Sequence, residues 1–389
     1  MSSRGQSIFP KPITIEAAVR TPIGKFGGAL AKTPASELAA QCLRALVKRV
    51  GPDRKAQTVF LGHARQAGAG PNPARQAVIK AGLSIETPAI TLNQACASSL
   101  AAVISAAEKI ALGKIHRAFA GGVESMSMTP FLLPGARFGF KMGHQKLLDG
   151  MHQDGFFCPM AEMLMGETVD VFLARDLKIS RQEQDAYALQ SQERAAQFAR
   201  SASQEIEPVT TADGALATDE HPRPDTTLAS LAKLSPVFSK EGTVTAGNSS
   251  GITDGAAFLS LSDSPSGAIA ELLDYEVIAL DPRQMGLGPV GATRALLRRQ
   301  DLTVDAIESF ELNEAFAAQV LACNRELKIP NEKLNPHGGA IALGHPIGAT
   351  GARILVTLLN TLREKPGALG VATLCVSGGQ GVAILVRRL

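Results

Sequence analysis

The strongest constraint on the fold is an alternation of short β-like runs with alanine-rich helical ones. ITIEAAV (13–19) reads as a strand, and SELAAQCLRALVKRV (36–50) carries apolar residues at helical spacing. PAITLNQ (88–94) predicts the next strand, ASSLAAVISAAEKIALGK (97–114) a helix ending near Gly113, and RAFAGGVES (117–125) a further strand. A chain that alternates in this way covers its strands with helices, the α/β arrangement. Its 389 residues exceed what one hydrophobic core serves, so two or three structural units are expected.

The alternation is interrupted from about 127 to 246, where Met, Phe, Gly, Pro and charged residues increase. One helix is clear there. Ser180 and Glu183 form an S-x-x-E capping box opening RQEQDAYALQSQERAAQFAR. This region reads as a lid or insertion over a site. TVTAGNSSGITDGAAFLSLSD (243–263) returns to α/β character, and SPSGAIA (264–270) marks a boundary. The second unit repeats the theme with a strand SFELN (309–313), a helix AFAAQVLACNREL (315–327) and a helical ATGARILVTLLNTLR (349–363). VATLCVS and VAILVRR flank GGQG as a hairpin. Both units place a cysteine after a run that begins Thr-Leu (TLNQAC, TLC), which suggests a duplication.

Composition excludes several classes. The net charge is +3, there are two tyrosines and no tryptophan, and basic residues are spread along the chain. The basic stripe with stacking aromatics of a nucleic-acid binder is missing. Cys42, Cys96, Cys158, Cys323 and Cys375 are odd in number and contain no CxxC pair, which fits free thiols in a reducing compartment and neither a disulfide framework nor a zinc site. No apolar run reaches the ~18 residues of a membrane span. MSSRGQSIFPKP lacks both a secretory h-region and the arginine content of a transit peptide, so a cytoplasmic location is expected.

Cys96, in TLNQACASSL, sits between a strand and a helix. It admits two readings, a small buried apolar residue or a nucleophile activated by a helix N-terminus. Its neighbours Ala95, Ala97, Ser98 and Ser99 are small enough for a substrate to approach. Of seven histidines, His345 has the most informative surroundings, NPHGGAIALGHPIGATG (335–351), where glycines crowd one imidazole and Pro346 fixes the turn after it. His337 in the same loop is a competitor. Asn313, at a strand end in ELNEAFAA, can cap a helix or orient a water or a histidine. Glu314 can be a base or a structural acid at the helix start. Cys375, before Gly378, Gly379 and Gly381, can be a buried thiol or a proton donor and acceptor. GLGPVG (286–291) matches G-x-G-x-x-G, but DPRQM before it is a poor strand and Pro289 lies inside the expected loop, which argues against a dinucleotide site.

Taken together and in order, NQAC, GNSSG, NEAFA, GGAIALGHPIGATG and LCVSGGQG resemble the thiolase family. RTPIGKFGG (20–28), NPARQA (72–77), GGVESMS (121–127) and KEGTVTAGN (240–248) extend the likeness over nearly the whole chain. The resemblance implies a duplicated five-layered α/β/α/β/α fold. It has an N-terminal half over 1–268, with a loop domain inserted at about 127–246, and a C-terminal half over 269–389. Each half is expected to hold a mixed five-stranded sheet, in a homodimer or homotetramer. By the same resemblance Cys96 accepts the acyl group, His345 takes its proton, and Cys375 is the acid/base. Asn313 acts with His345 through a water in one oxyanion hole, and the backbone N–H groups of Cys96 and Ser377 form the other. Arg223, Ser230, Ala246 and Ser250 line coenzyme A, and Met165 and Met285 the acyl group. Ala315 and Phe316, in NEAFA, are taken with that pocket.

The implied activity is reversible Claisen condensation of two acetyl-CoA, or thiolysis of short-chain 3-ketoacyl-CoA, through an acyl-cysteine. It needs coenzyme A as substrate, with no prosthetic group or metal, and a role in lipid and fatty acid metabolism follows. The alternatives are a longer-chain 3-ketoacyl-CoA thiolase of β-oxidation and a non-catalytic acyl-CoA-binding relative. Ketoacyl and HMG-CoA synthases lack the second cysteine, and a papain-like protease lacks the glycine-rich architecture. Three departures from the family pattern stand out. Ser377 replaces a common glycine, which matters only if its φ must be positive. ASSL stands for GSGL and is expected to tighten the acyl pocket. MGETVD (165–170) departs from the TAEN-like continuation, which leaves substrate preference open there.

Overall fold

The computed structural model describes residues 5–389. Its strands are β1 (Thr14–Arg20), β2 (Thr58–Gly62), β3 (Ala89–Leu92), β4 (Arg117–Ser125), β5 (Thr253–Ser262), β6 (Ala270–Ala279), β7 (Ser309–Leu312), β8 (Leu369–Val376) and β9 (Gln380–Arg388). They run β7-β8-β9-β6-β1-β5-β4-β2-β3 through one ten-stranded sheet, the tenth being Gly24–Lys25 beside β5. The middle of this sheet is a narrow seam. β1 and β6 pair only at Thr14–Glu271 and Ile15–Ala270, so two smaller sheets meet edge to edge. In each, the strand at or next to the outer edge pairs in parallel, β2 with β3 and β4, and β7 with β8.

The helices of eight or more residues are α1 (Ala35–Val50), α2 (Pro73–Lys80), α3 (Ser98–Ala111), α4 (Arg181–Phe198), α5 (Gly288–Arg299), α6 (Ala317–Leu327) and α7 (Ile347–Thr361). α1 and α2 cover the outer face of the first sheet, and α5 packs on the outer face of the second with α6 against it. α3 and α7 pack on each other between the sheets. This gives five layers. The sequence explains the sorting: α7 has buried residues at every position from Ile347 to Leu359, as an all-round apolar helix in a central layer must. Neighbouring residues of β2 serve different cores, Phe60 facing α3 while Val59 and Leu61 join the cluster under α1.

Three sequence expectations change here. The second sheet has four strands, and at its fifth position only Leu334 bridges Phe310 in parallel. Pro330, Pro336 and a left-handed Asn335 (φ 45°) keep the rest of that segment from extending. GLGPVG does open a helix, since Pro289 sits in the first turn of α5, where a missing N–H costs nothing. Gly288 and Gly381 meet backbone to backbone there, so this glycine serves packing rather than a pocket loop. The two Thr-Leu runs are not equivalent positions. β3 is an edge strand, whereas Thr373 and Leu374 lie in β8, the topological counterpart of β4.

The central layer brings the halves into backbone contact. A Cβ on Gly122 of β4 would lie 2.0 Å from the Gly348 carbonyl oxygen at the start of α7. Neither partner is a side chain that can swing away. Gly122→Ala is therefore expected to destabilise by about 1–3 kcal/mol. Urea unfolding checks this, and an unchanged midpoint would contradict the contact.

Candidate active site

Cys96 lies in a 3₁₀ turn, Ala95–Ala97, leading directly into α3. The turn is strained, with Ala95 at φ 47°, a left-handed value costly for a residue with a Cβ. Local hydrogen bonds hold it. Asn93 Oδ1 accepts from the Ala95 N–H at 2.9 Å, and Ser98 Oγ accepts from Gln94 N–H at 3.0 Å while donating to the Ala95 carbonyl at 2.7 Å. Cys96 is the one cysteine of five that is not buried. Burial of its surroundings pushes the thiol pKa up; Arg65 and the backbone N–H groups of Ser377 and of Cys96 itself act in the opposite direction. Those two N–H groups thus converge on the sulfur. Ser377 does not have positive φ, while Gly378 (87°) and Gly379 (83°) do, so the serine is compatible with its place.

His345 follows Gly344 (φ 96°) and precedes Pro346. Its Nδ1 is 2.6 Å from Thr350 Oγ1, whose own hydrogen goes to the Pro346 carbonyl at 3.0 Å. Thr350 must then accept, which places the proton on Nδ1 and leaves the Nε2 lone pair free. Burial first, then the Arg353 and Arg65 charges, lowers this imidazole to about 3, so it is neutral at pH 7. His337 does not compete. It stacks on Phe198 at 4.0 Å between ring centroids and lies outside the cavity.

Cys375 ends β8 and is buried. Burial raises its pKa well above the usual value, and charges on Cys96 and Cys323 would raise it further, so it is held as a thiol. Asn313 is 1% exposed, and neither atom of its amide has a hydrogen-bond partner among the described residues. Glu314 resolves as structural: its carboxylate accepts from Tyr187, Ser191 and Asn335 side chains and from the Ile341 N–H.

Cys96, His345, Cys375 and Ser377 line one cavity of about 610 Å³. Met165, Met285, Ala315, Phe316, Arg223, Ala246 and Ser250 line it too. Asn313 is not among its lining residues. Ser230 is not brought in; its hydroxyl donates to the Thr227 carbonyl and accepts from the Thr227 N–H in a helix cap. The small residues around Cys96 also face elsewhere. Ala97 is fully buried in the central core, and Ser99 Oγ accepts from the Ala352 N–H at 2.9 Å, tying α3 to α7. ASSL therefore tightens the interface between the halves, not the acyl pocket.

Sequence reasoning missed Arg65, Glu124 and Thr350. Glu124, at the end of β4, is fully buried and accepts from the N–H groups of Ala64, Arg65 and Gly348 and from His63 Nε2 at 3.1 Å. A signal existed, because charged residues directly after an apolar strand, as in TVFLGHAR, are out of place unless they serve a site.

A thiol at a strained helix entrance, a neutral histidine and a second buried thiol around one cavity define an acyl-transferring type of site. Family models agree with the fold. The model for the thiolase N-terminal domain matches residues 13–264, and that for the C-terminal domain matches 267–388. An acetyl-CoA acetyltransferase of Chromobacterium violaceum is 46% identical, over 97% of this chain and 99% of its own. A β-ketoadipyl-CoA thiolase of Pseudomonas aeruginosa is 48% identical, over 96% of this chain and 98% of its own. The crystal structure of the Bacillus anthracis acetyl-CoA acetyltransferase superposes with a TM-score of 0.93 at 39% identity, covering 98% of this chain and all of that one. The chain belongs to the thiolase family.

The raised pKa of Cys96 has a measurable sign. Its thiolate fraction is small at neutral pH and grows as pH rises toward and beyond 9. Iodoacetamide should alkylate Cys96 before the four buried cysteines, at a rate still climbing above pH 8.5. Peptide mass spectrometry checks this; a rate already at plateau near pH 7 would contradict it.

Proposed function

We propose that this protein is an acetyl-CoA C-acetyltransferase that also thiolyses short-chain 3-ketoacyl-CoA. The observation carrying this reading is the convergence of Cys96, His345, Cys375 and the Ser377 N–H on one cavity. In thiolysis, Cys96 gives its proton to His345 Nε2 and its sulfur attacks the 3-keto carbon. The N–H groups of Cys96 and Ser377 stabilise the resulting oxyanion. The C2–C3 bond breaks and its electron pair forms an enolate, whose oxygen is held by His345 and by Asn313 through a water. Cys375 protonates the enolate carbon, releasing acetyl-CoA. The Cys375 thiolate then takes the thiol proton of incoming coenzyme A, whose sulfur attacks the acyl-Cys96. Cys96 departs and recovers its proton from His345. Condensation is the reverse.

Arg223, Ala246 and Ser250 are assigned to the coenzyme A arm. Met165, Met285, Ala315 and Phe316 are assigned to the acyl wall. We also assign the halves to 1–268 and 269–389, with the 127–246 segment as the covering domain. Phe138 (92% exposed) and Met142 (93%) on that segment support assembly into a homodimer or homotetramer. Free cysteines support a cytoplasmic setting in lipid metabolism.

Two measurements test the reading. Acetoacetyl-CoA should be cleaved when coenzyme A is added, and Cys96→Ser should remove that activity. Cys375→Ser should lower turnover by about 10²–10⁴. Incubation of the wild-type enzyme with acetyl-CoA should leave an acetyl group on Cys96 by mass spectrometry; its absence would make the protein a binder rather than an enzyme.

A further inference from the structure

We propose that Arg65 is a carboxylate-recognition residue, and that the substrates of this site include 3-ketoacyl-CoA esters with a carboxylate at the far end of the acyl chain. This deepens the thiolase reading and rests on it.

Arg65 follows β2 and is 6% exposed, yet it lines the cavity together with Cys96 and His345. No acceptor takes a hydrogen bond from its guanidinium among the described residues, and its Nε is fully enclosed without a partner. Glu124, whose charge Arg65 senses, cannot serve: Oε1 is occupied by the Arg65 backbone N–H and His63, and Oε2 by the N–H groups of Ala64 and Gly348. A glycine in the π-helical turn His152–Phe156 makes room for the fork. A Cβ on Gly155 would come within 1.9 Å of Arg65 Nη2.

The cavity as a whole has an unbalanced charge. Lys25, Arg65 and Arg223 line it and no Asp or Glu does. Lys25 and Arg223 are both exposed, as suits cations at a rim meeting phosphates, whereas Arg65 is deep. Beside Arg65 in sequence, Ala64 clusters with Met126 and Ile347 and with Cys96, Met151, Phe156 and Ile252. This wall lies beside Cys96. Cys375 sits in the separate cluster with Met285 and Ala315. An acyl chain bound to Cys96 can therefore run along a wall that ends in a guanidinium with no hydrogen-bond acceptor.

Burying a guanidinium whose N–H groups find no acceptor is costly even with the Glu124 charge nearby, and a carboxylate accepting both arms of the fork relieves that cost. A neutral chain of the same length would only desolvate it further, so the same group rejects uncharged chains.

The test compares thiolysis of 3-ketohexanoyl-CoA with that of its ω-carboxy analogue by wild type, Arg65→Met and Arg65→Lys, with acetoacetyl-CoA as reference. Wild type should favour the carboxylate, and Arg65→Met should lower the ratio of the two kcat/KM values by about 10- to 100-fold. Arg65→Lys, which keeps the charge but not the fork, should fall between. Coenzyme A affinity is measured on the same variants by calorimetry. Equal losses on both substrates overturn the proposal and make Arg65 an electrostatic partner of Cys96. A matching loss in coenzyme A affinity also overturns it, because the anion is then a phosphate of the cofactor arm. If wild type cleaves acetoacetyl-CoA but shows no preference for the carboxylate, the proposal falls while the thiolase reading stands. Failure to cleave any substrate, with no acyl-Cys96, overturns both.

Discussion

The site depends on one buried carboxylate. Glu124 gathers the end of β2, the end of β4 and the start of α7 by accepting N–H groups from Ala64, Arg65 and Gly348. Burial alone would push its pKa up. The His63 hydrogen bond and charge, Arg65 and the Gly348 N–H outweigh that and hold the carboxyl below its ordinary value. It therefore stays ionised with all its lone pairs satisfied, the condition under which a buried charge is tolerated. Its four bonds tie the residues after β2 to Gly348, three residues beyond His345. The backbone contact of Gly122 with Gly348 leaves that arrangement no slack.

The electrostatics around this anchor separate the charges in time. Cys96 and Cys375 are close enough that charge on one raises the pKa of the other, so both thiolates at once are disfavoured. His345, lowered to about 3, is a weak base toward solvent. In the proposed mechanism, however, proton transfer from Cys96 in the same cavity creates an ion pair, and the attraction within that pair offsets part of the cost. In the same proposed mechanism, the two N–H groups on the Cys96 sulfur then turn to the oxyanion as charge moves from sulfur to oxygen. A site made this way needs no permanent charge on its nucleophile.

Much of this was legible in the sequence, and the gaps have physical causes. RAFAGGVES and the Ser180 capping box show their structure locally, one by β-propensity and the other by paired caps. TVFLG is buried at every position, so it lacks the alternation that marks a half-exposed strand. The shape of GLGPVG could not be read because its glycine answers to Gly381, nearly a hundred residues away in sequence, and not to its neighbours. Cys96, His345 and Cys375 were legible through motif order. Arg65, Glu124 and Thr350 were not, since each acts through a partner that only the fold brings near. Ser98 and Ser99 read as open space beside a nucleophile, but the fold spends their hydroxyls on α3 and α7.

The topology supplies the deepest reason for the pairing of residues. β1, β2, β3 and β4 correspond to β6, β7, the Leu334 bridge and β8, and α3 corresponds to α7. Cys96 precedes α3 and His345 precedes α7, so the proposed nucleophile and base occupy equivalent entrances of the two central helices. Because those helices pack against each other between the sheets, their N-terminal turns face a common space. The same correspondence sets Asn313 after β7 opposite His63 after β2. Two copies of one scaffold thus give different side chains the same backbone position, and the difference between them is what the chemistry uses. Arg65, two residues beyond His63, belongs to the first copy alone, since its counterpart after β7 is the small, apolar Ala315.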